Sequence, residues 1–397
     1  MNKITFVLPS RNNLEFLKLA YNNLKKLSNG YHNILVLDDA SEDGTNEWLR
    51  SLKDDKLIIY RNPGPERIGI VGMFDKGIEL SDSEVIMAFH ADMVPSPNMD
   101  LNILKHLKPL TVVSATRVEP PLHPAGPEKI VIDFGDEAET FREKDWNSWS
   151  LENEKINKDK TTEGIFAPWC MYREDYLSMG GHDPLFAPQS KEDSDLFNRF
   201  VLNGYEVIQS WDALVYHFTS RGSRFNKFAG GSAGVNSPEW INTNNKNLKN
   251  FIRKWGSFVK HDSMMKPIIT PKFDLGFRVR NIDVQKLAVL EPLCSNIGIE
   301  NRFEIHNEYI MIEQPHTPYN LTDKIKDYEP NGFNPLTNNI IIEFDVNRMN
   351  EQSFNMLLQI PDIIKQSGSV GEFELDIFKV NIKSMETYEH TFIKVNK

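Results

Sequence analysis

Asn33-Ile34-Leu35-Val36-Leu37-Asp38-Asp39-Ala40-Ser41-Glu42-Asp43-Gly44-Thr45 passes from an unbroken apolar run into a cluster of acids and turn formers. A short Ile/Leu/Val run closed by turn chemistry reads as a strand buried on both faces, as in parallel sheets. In open α/β sheets ligands bind beyond the carboxyl ends of the strands, where Asp38, Asp39, Ser41 and Asp43-Gly44 fall. Two readings are open for these side chains. They could cap a helix beginning near Thr45, or they could face a ligand.

Working outward, residues 4–8 form an earlier apolar strand ending in Pro9-Ser10-Arg11. Leu14, Leu17, Tyr21, Leu24 and Leu27 fall at helical spacing and predict the crossover between the two strands. Residues 57–60 predict a third strand, 71–80 a helix, and 85–89 a fourth strand that delivers His90 and Asp92 to the same edge. This alternation, up to about residue 115, predicts βαβ units around a mostly parallel sheet. Two strand ends then carry polar clusters, which tips Asp39 towards ligand contact.

The stretch 120–162, rich in Pro, charge and Trp, has weak periodicity and predicts a long loop or insertion suited to acceptor binding. Within it Trp146 and Trp149 are the unusual aromatics, and 152–160 reads as a solvated face. Residues 190–203 read as a helix, 206–210 and 213–216 as strands, and 236–250 as an Asn-rich connector. Three segments follow: 1–236, a connector with a helix over 237–271, and 272–397. In the last, 275–280, a helix through Leu287, Leu290 and Leu293, and 304–312 read as β-α-β. Residues 340–346, 354–364 and 373–382 complete a second such series, so a small α+β domain, ferredoxin-like in pattern, is expected.

The chain has 397 residues with a formal net charge of −11, and no dense basic block, which opposes phosphate neutralisation along a nucleic acid. Two cysteines, Cys170 and Cys294, are too few for a disulfide framework. No apolar run reaches signal or membrane-spanning length, so a cytoplasmic protein without a transmembrane segment is expected.

Four stations resemble family-2 glycosyltransferases of the GT-A fold, over residues 1 to about 260. They are Val7-Leu8-Pro9-Ser10-Arg11-Asn12, the Val36 to Thr45 element, Gly180-Gly181-His182-Asp183-Pro184 with Glu192-Asp193-Ser194-Asp195-Leu196-Phe197-Asn198-Arg199, and Val215-Tyr216-His217. The resemblance implies an inverting transfer of a sugar from a nucleotide-diphosphate sugar to a glycan, lipid-linked or protein acceptor, assisted by Mn²⁺ or Mg²⁺. It also implies Pro9, Arg11 and Asp39 on the nucleotide. Metal ligation falls to Asp92, His217 and His90, the last standing where the family commonly has an acid.

Each role has a chemical reason. A carboxylate at a strand end can accept from the N–H edge of a base, and hard cations neutralise a diphosphate leaving group. Inverting transfer needs a base for the acceptor hydroxyl, a role that falls to Asp193; Arg199, four residues after Asp195, can hold that neighbour as an ion pair. An acidic first helical turn also arises simply from the helix dipole. Arg221 and Arg224 could close over the diphosphate, or be a solvated loop. Trp169, Gly181, His182 and Glu192 are expected at the acceptor, although Trp169 could equally be core. Two rivals remain: a sugar-phosphate nucleotidyltransferase, for which the Gly-rich, Arg-containing loop is missing, and a non-catalytic carbohydrate- or nucleotide-sugar-binding scaffold of the same fold.

Overall fold

The computed structural model describes residues 2–300, 303–328 and 336–395. The chain divides into two compact units, Met1–Asn244 with Lys260–Ile268 and Ile393–Lys397, and Asn245–Val259 with Ile269–Phe392.

In the first unit β1 (Ile4–Ser10), α1 (Leu14–Leu24), β2 (Asn33–Asp39), α2 (Thr45–Ser51), β3 (Leu57–Asn62), α3 (Gly69–Leu80) and β4 (Val85–Ala88) alternate as the apolar pattern requires. After them come β5 (Met93–Pro95), α4 (Met99–Leu104), β6 (Thr111–Glu119), β7 (Ile130–Val131), α5 (Glu143–Ile156), β8 (Thr161–Glu163), β9 (Trp169–Tyr172), α6 (Arg173–Ser178), α7 (Glu192–Leu202) and β10 (Glu206–His217). The strand order β3-β2-β1-β4-β9-β6-β10-β5 makes one mixed sheet, with β7 on β6 and β8 on β10. β3, β2, β1 and β4 are parallel, so the ends of β1, β2 and β4 open on one edge. Every residue of β2 and β4 is buried, which explains their unbroken apolar runs.

α3 lies close on this sheet. A Cβ at Gly77 would stand 2.4 Å from Val7 and 2.9 Å from Leu37, so only glycine admits the contact. β10 is one strand rather than the two expected, broken by a register shift between Ser210 and Leu214 that leaves residues 211–213 outside the ladder with β6.

The stretch 120–162 is not a loop throughout. Its helix α5 places Trp146 in a buried aromatic cluster with Phe134, Tyr216 and Phe218, and Trp149 packs against it. Apolar anchors spaced among charges hide the helical period from the sequence. The expected Asn-rich connector is likewise helical: α8 (Pro238–Trp255) begins there, its first residues belonging to the first unit and the rest to the second.

The second unit contains β11 (Leu275–Arg280), α9 (Val284–Leu290), β12 (Asn296–Glu300), α10 (Phe303–Glu313), α11 (Leu321–Lys324), β13 (Ile325–Tyr328), β14 (Ile340–Asp345), α12 (Glu351–Ser367), β15 (Gly371–Leu375) and β16 (Phe378–Ile382). Its sheet has the order β13-β12-β11-β14-β16-β15. The ferredoxin-like expectation fails here. Strands β13, β12, β11 and β14 all run parallel, followed by an antiparallel hairpin, which is the order of a doubly wound half-fold. The error traces to residues 304–312, expected as a strand. They form α10, which buries His306, Tyr309 and Glu313 at helical spacing, and the strand is β12 before it. Residues 317–338 read from the sequence as a Pro/Gly/Asn-rich link between the two series, and 329–335 of them lie outside the described residues.

Candidate functional site

The carboxyl ends of β1, β2 and β4, the start of α7 and the end of β10 surround a cleft of about 210 Å³. Its walls include Pro9, Ser10, Arg11 and Asn13 from the first strand end, Asp39 from the second, His90 and Asp92 from the fourth, Glu192 and Asp193 from α7, and His217 from β10. Five buried polar atoms in these walls have no hydrogen-bond partner among the described residues: Ser10 Oγ, Arg11 Nε, Asn13 Nδ2, Arg67 Nε and Glu192 Oε2. Buried polar atoms are ordinarily paired, so their clustering marks a surface shaped for a polar ligand.

His90, Asp92 and His217 meet with one ligand atom from each within 4.8 Å of the others. Strand pairing brings them together across the sequence: β5, directly after Asp92, runs antiparallel to the end of β10, with Met93 opposite His217. His217 Nε2 lies 3.9 Å from Asp92 Oδ2 while its Nδ1 is 2.8 Å from Glu119 Oε1. Glu119 is fixed in turn by Arg117 at 2.9 Å and Lys129 at 2.8 Å. Burial acts to raise the Glu119 pKa, but the His217 contact and these two cations outweigh it and hold the carboxyl well below its usual range. Sequence reasoning missed Glu119. It closes an ordinary strand, and only pairing reveals its partner.

His90 is kept neutral chiefly by burial, against the pull of Asp92 and Asp193. Its ring packs on Phe74, whose other neighbour is His182 at 5.7 Å. His182 is fully buried, with Nδ1 beside the Tyr176 hydroxyl and Asp75, so it supports the wall instead of lining it. Trp169 is core, packed on Tyr176 and Phe200. Gly181 lies behind the wall as well, its carbonyl accepting from Arg199 Nη2 at 2.7 Å.

The two arginines expected over the diphosphate also point elsewhere. The Arg221 guanidinium reaches Glu137 and the Phe218 and Asp136 carbonyls, and only its backbone N–H serves the site, donating to Asp92 Oδ2 at 2.6 Å. Arg224 stacks on Trp240 and donates to Asn236 Oδ1. The arginines in the cleft wall are Arg11 and Arg67.

Asp39 lines the cleft, and its oxygens accept from Asn62 Nδ2 at 2.7 Å, Ile68 N at 2.9 Å and Gly69 N at 2.7 Å. It therefore fixes the start of α3, where Gly69 is left-handed and has no room for a Cβ beside Pro188. The turn chemistry belongs to Asp43, which accepts from Leu14 N at 2.8 Å and from the Thr45 hydroxyl at 2.6 Å. Asp195 and Arg199 form a fully buried pair at 2.9 Å that ties α7 to the Gly181 turn. Ahead of it, Glu192 is pushed up to about 8 by burial first and the Asp193 charge second, so a neutral carboxyl stands beside Asp193.

Residues 5–177 match the model described as Glycosyl transferase family 2. Over that segment the chain is similar to family 2 glycosyltransferases. The match ends before α7 and β10, so Asp193 and His217 lie beyond it. Among solved structures, GalNAc-T7 with UDP, GalNAc and Mn²⁺ is 14% identical with a TM-score of 0.46, covering 64% of this chain and 48% of that one. The mannosyltransferase PcManGT from Pyrobaculum calidifontis, in complex with GDP-Man and Mn²⁺, is 18% identical with a TM-score of 0.41, covering 64% of each chain. The chain thus spans about half the length of the first and under two thirds of the second. No curated protein matches. Among the described residues no helix is long and apolar enough to cross a membrane.

Proposed function

We propose that the protein transfers a sugar from a nucleotide-diphosphate sugar to an acceptor hydroxyl with inversion, aided by a divalent ion. The observation that carries this reading is the convergence of His90, Asp92 and His217 in one cleft with Asp39 and Asp193.

The donor set suits Mn²⁺ better than Mg²⁺, which prefers oxygen ligands throughout. Two imidazoles and a carboxylate form a mixed nitrogen and oxygen set, and the Glu119 contact to His217 Nδ1 holds the ring with Nε2 on the Asp92 side, as a carboxylate behind a ligating histidine commonly does. When bound, such an ion neutralises charge developing on a diphosphate leaving group. The rest is the work of side chains. Asp193 takes the proton from the acceptor hydroxyl as its oxygen attacks the anomeric carbon and the bond to the diphosphate breaks on the opposite face. The neutral Glu192 beside it donates a hydrogen bond to a sugar or acceptor oxygen, a role open to a protonated carboxyl. Pro9, Arg11 and Asp39 contact the nucleotide, with Asp39 also shaping the wall. The acceptor is a glycan, a lipid-linked sugar or a protein hydroxyl.

A thermal-shift screen of nucleotide sugars with Mn²⁺ identifies the donor. Asp193→Asn should then lower turnover by about 10²–10⁴-fold while donor binding is kept, and exhaustive chelation should abolish turnover until Mn²⁺ or Mg²⁺ is restored. Undiminished turnover in either experiment overturns the corresponding role.

A further inference from the structure

The cleft walls carry acids at Asp39, Asp92, Glu192 and Asp193, yet among the described residues the lysine or arginine side chains lining them are Arg11 and Arg67. Both are already engaged by one carboxylate. Glu239, in the first turn of α8, meets Arg67 Nη1 through Oε1 and lies 3.7 Å from Arg11 Nη1 through Oε2. Each guanidinium keeps its Nε buried without a partner, so each retains donors that a single carboxylate has not satisfied. A second hollow, of about 70 Å³, shares Arg11, Arg67, Gln189, Gly222 and Ser223 with the cleft and has Glu239 in its own wall. At about 210 Å³ the cleft itself falls below the roughly 300–1,000 Å³ usual for small-molecule sites.

We propose that Glu239 is an internal stand-in for a polyphosphate: it clasps Arg11 and Arg67 in the ligand-free protein and is exchanged for the diphosphate of an incoming nucleotide. The inference rests on the reading of the cleft as a nucleotide-sugar site, and adds Arg67 and Glu239 to it. A carboxylate offers two oxygens to two forked cations, whereas a diphosphate offers more, spread over a longer span. Exchange therefore satisfies the unpaired Nε donors and merges the hollow with the cleft. It also sets a threshold. An uncharged nucleoside cannot displace Glu239, so the clasp discriminates by phosphate charge, and apparent affinity is lowered by the fraction of protein in which the clasp is closed.

The test is calorimetric titration of the full chain, without divalent ions, using inorganic pyrophosphate, UDP, GDP, uridine and guanosine. Glu239→Gln should bind pyrophosphate and at least one nucleoside diphosphate about three- to tenfold more tightly than the parent, the range expected for releasing a half-exposed ion pair, with nucleoside binding unchanged. Arg67→Gln should weaken the same phosphate ligands. Glu239→Ala, at a half-exposed position, repeats the test should the glutamine variant fold poorly. Equal or weaker pyrophosphate binding in both Glu239 variants overturns the clasp. The two readings fail separately: tighter pyrophosphate binding without any sugar transfer removes the proposed reaction and keeps the clasp, while transfer with unchanged phosphate affinity does the reverse.

Discussion

Glu192 concentrates the residue-scale physics of the site. Its carboxyl is raised to about 8, by burial first and then by the Asp193 charge, so it is neutral at pH 7. A raised carboxyl contributes stability fully below its unfolded pKa, near 4.5, and loses it as pH rises through about 8. Glu192→Gln should leave thermal stability unchanged at pH 4 and raise it progressively above pH 5, by an order of a few kcal/mol at pH 9. Differential scanning calorimetry across that range checks the sign; a gain confined to acid pH would contradict it. At this scale the sequence was legible wherever a polar residue ends an apolar strand. Asp39, His90, Asp92 and His217 announce themselves in that way, and Glu192 and Asp193 by the acidic first turn. Glu119, Arg67 and Glu239 do not, because each matters through a partner far along the chain. Trp169 and His182 were misplaced because an aromatic one layer behind a wall has the same sequence signature as one in it.

At the scale of elements, α7 brings the acidic turn into the cleft, and its anchorage depends on charge as well as packing. Arg199 is fully buried against Asp195 and the Gly181 carbonyl. Arg199→Met removes a buried cation paired with the Asp195 carboxylate, and should cost about 3–5 kcal/mol. The double variant Asp195→Leu/Arg199→Met should recover most of that loss. Urea unfolding of the three variants measures both quantities, and an additive double variant would show that the pair acts independently. Helices and strands with clean periods were readable from their side chains, as α1, α3, β1, β2 and β4 show. α5 and α10 were not, since their buried positions are interleaved with charge or with β-favouring residues, and α8 was read only as a helix somewhere in the connector because its buried face includes Asn247, Asn250, Arg253 and Lys254.

Across the whole molecule the second unit titrates with the opposite sign to the cleft. Lys272 is buried and pushed down to about 7, by burial first and then by Lys324, against the opposing charges of Asp274 and Glu291. A lysine lowered in the folded state destabilises most when charged, below about pH 7, and that penalty fades as pH rises towards its unfolded value near 10.5. Lys272→Met should therefore stabilise at pH 6 by up to a few kcal/mol and have little effect near pH 10.5. Calorimetry at the two pH values decides it. Finally, the irregularity at 211–213 in β10 gives that strand a mechanical tolerance. Because successive side chains in a strand alternate sides, an odd insertion or deletion normally inverts everything downstream. Residues 211–213 stand outside the β6 ladder and are held instead by Asn102, Lys105, Lys160 and Thr162, so a frame error there leaves the ladder pairing intact, whereas the run from Leu214 to His217 is paired to β5 and β6. Dropping one residue at 211 should spare the imidazole's facing; dropping Val215 should turn it out of the cleft and abolish the proposed transfer while much of the sheet survives.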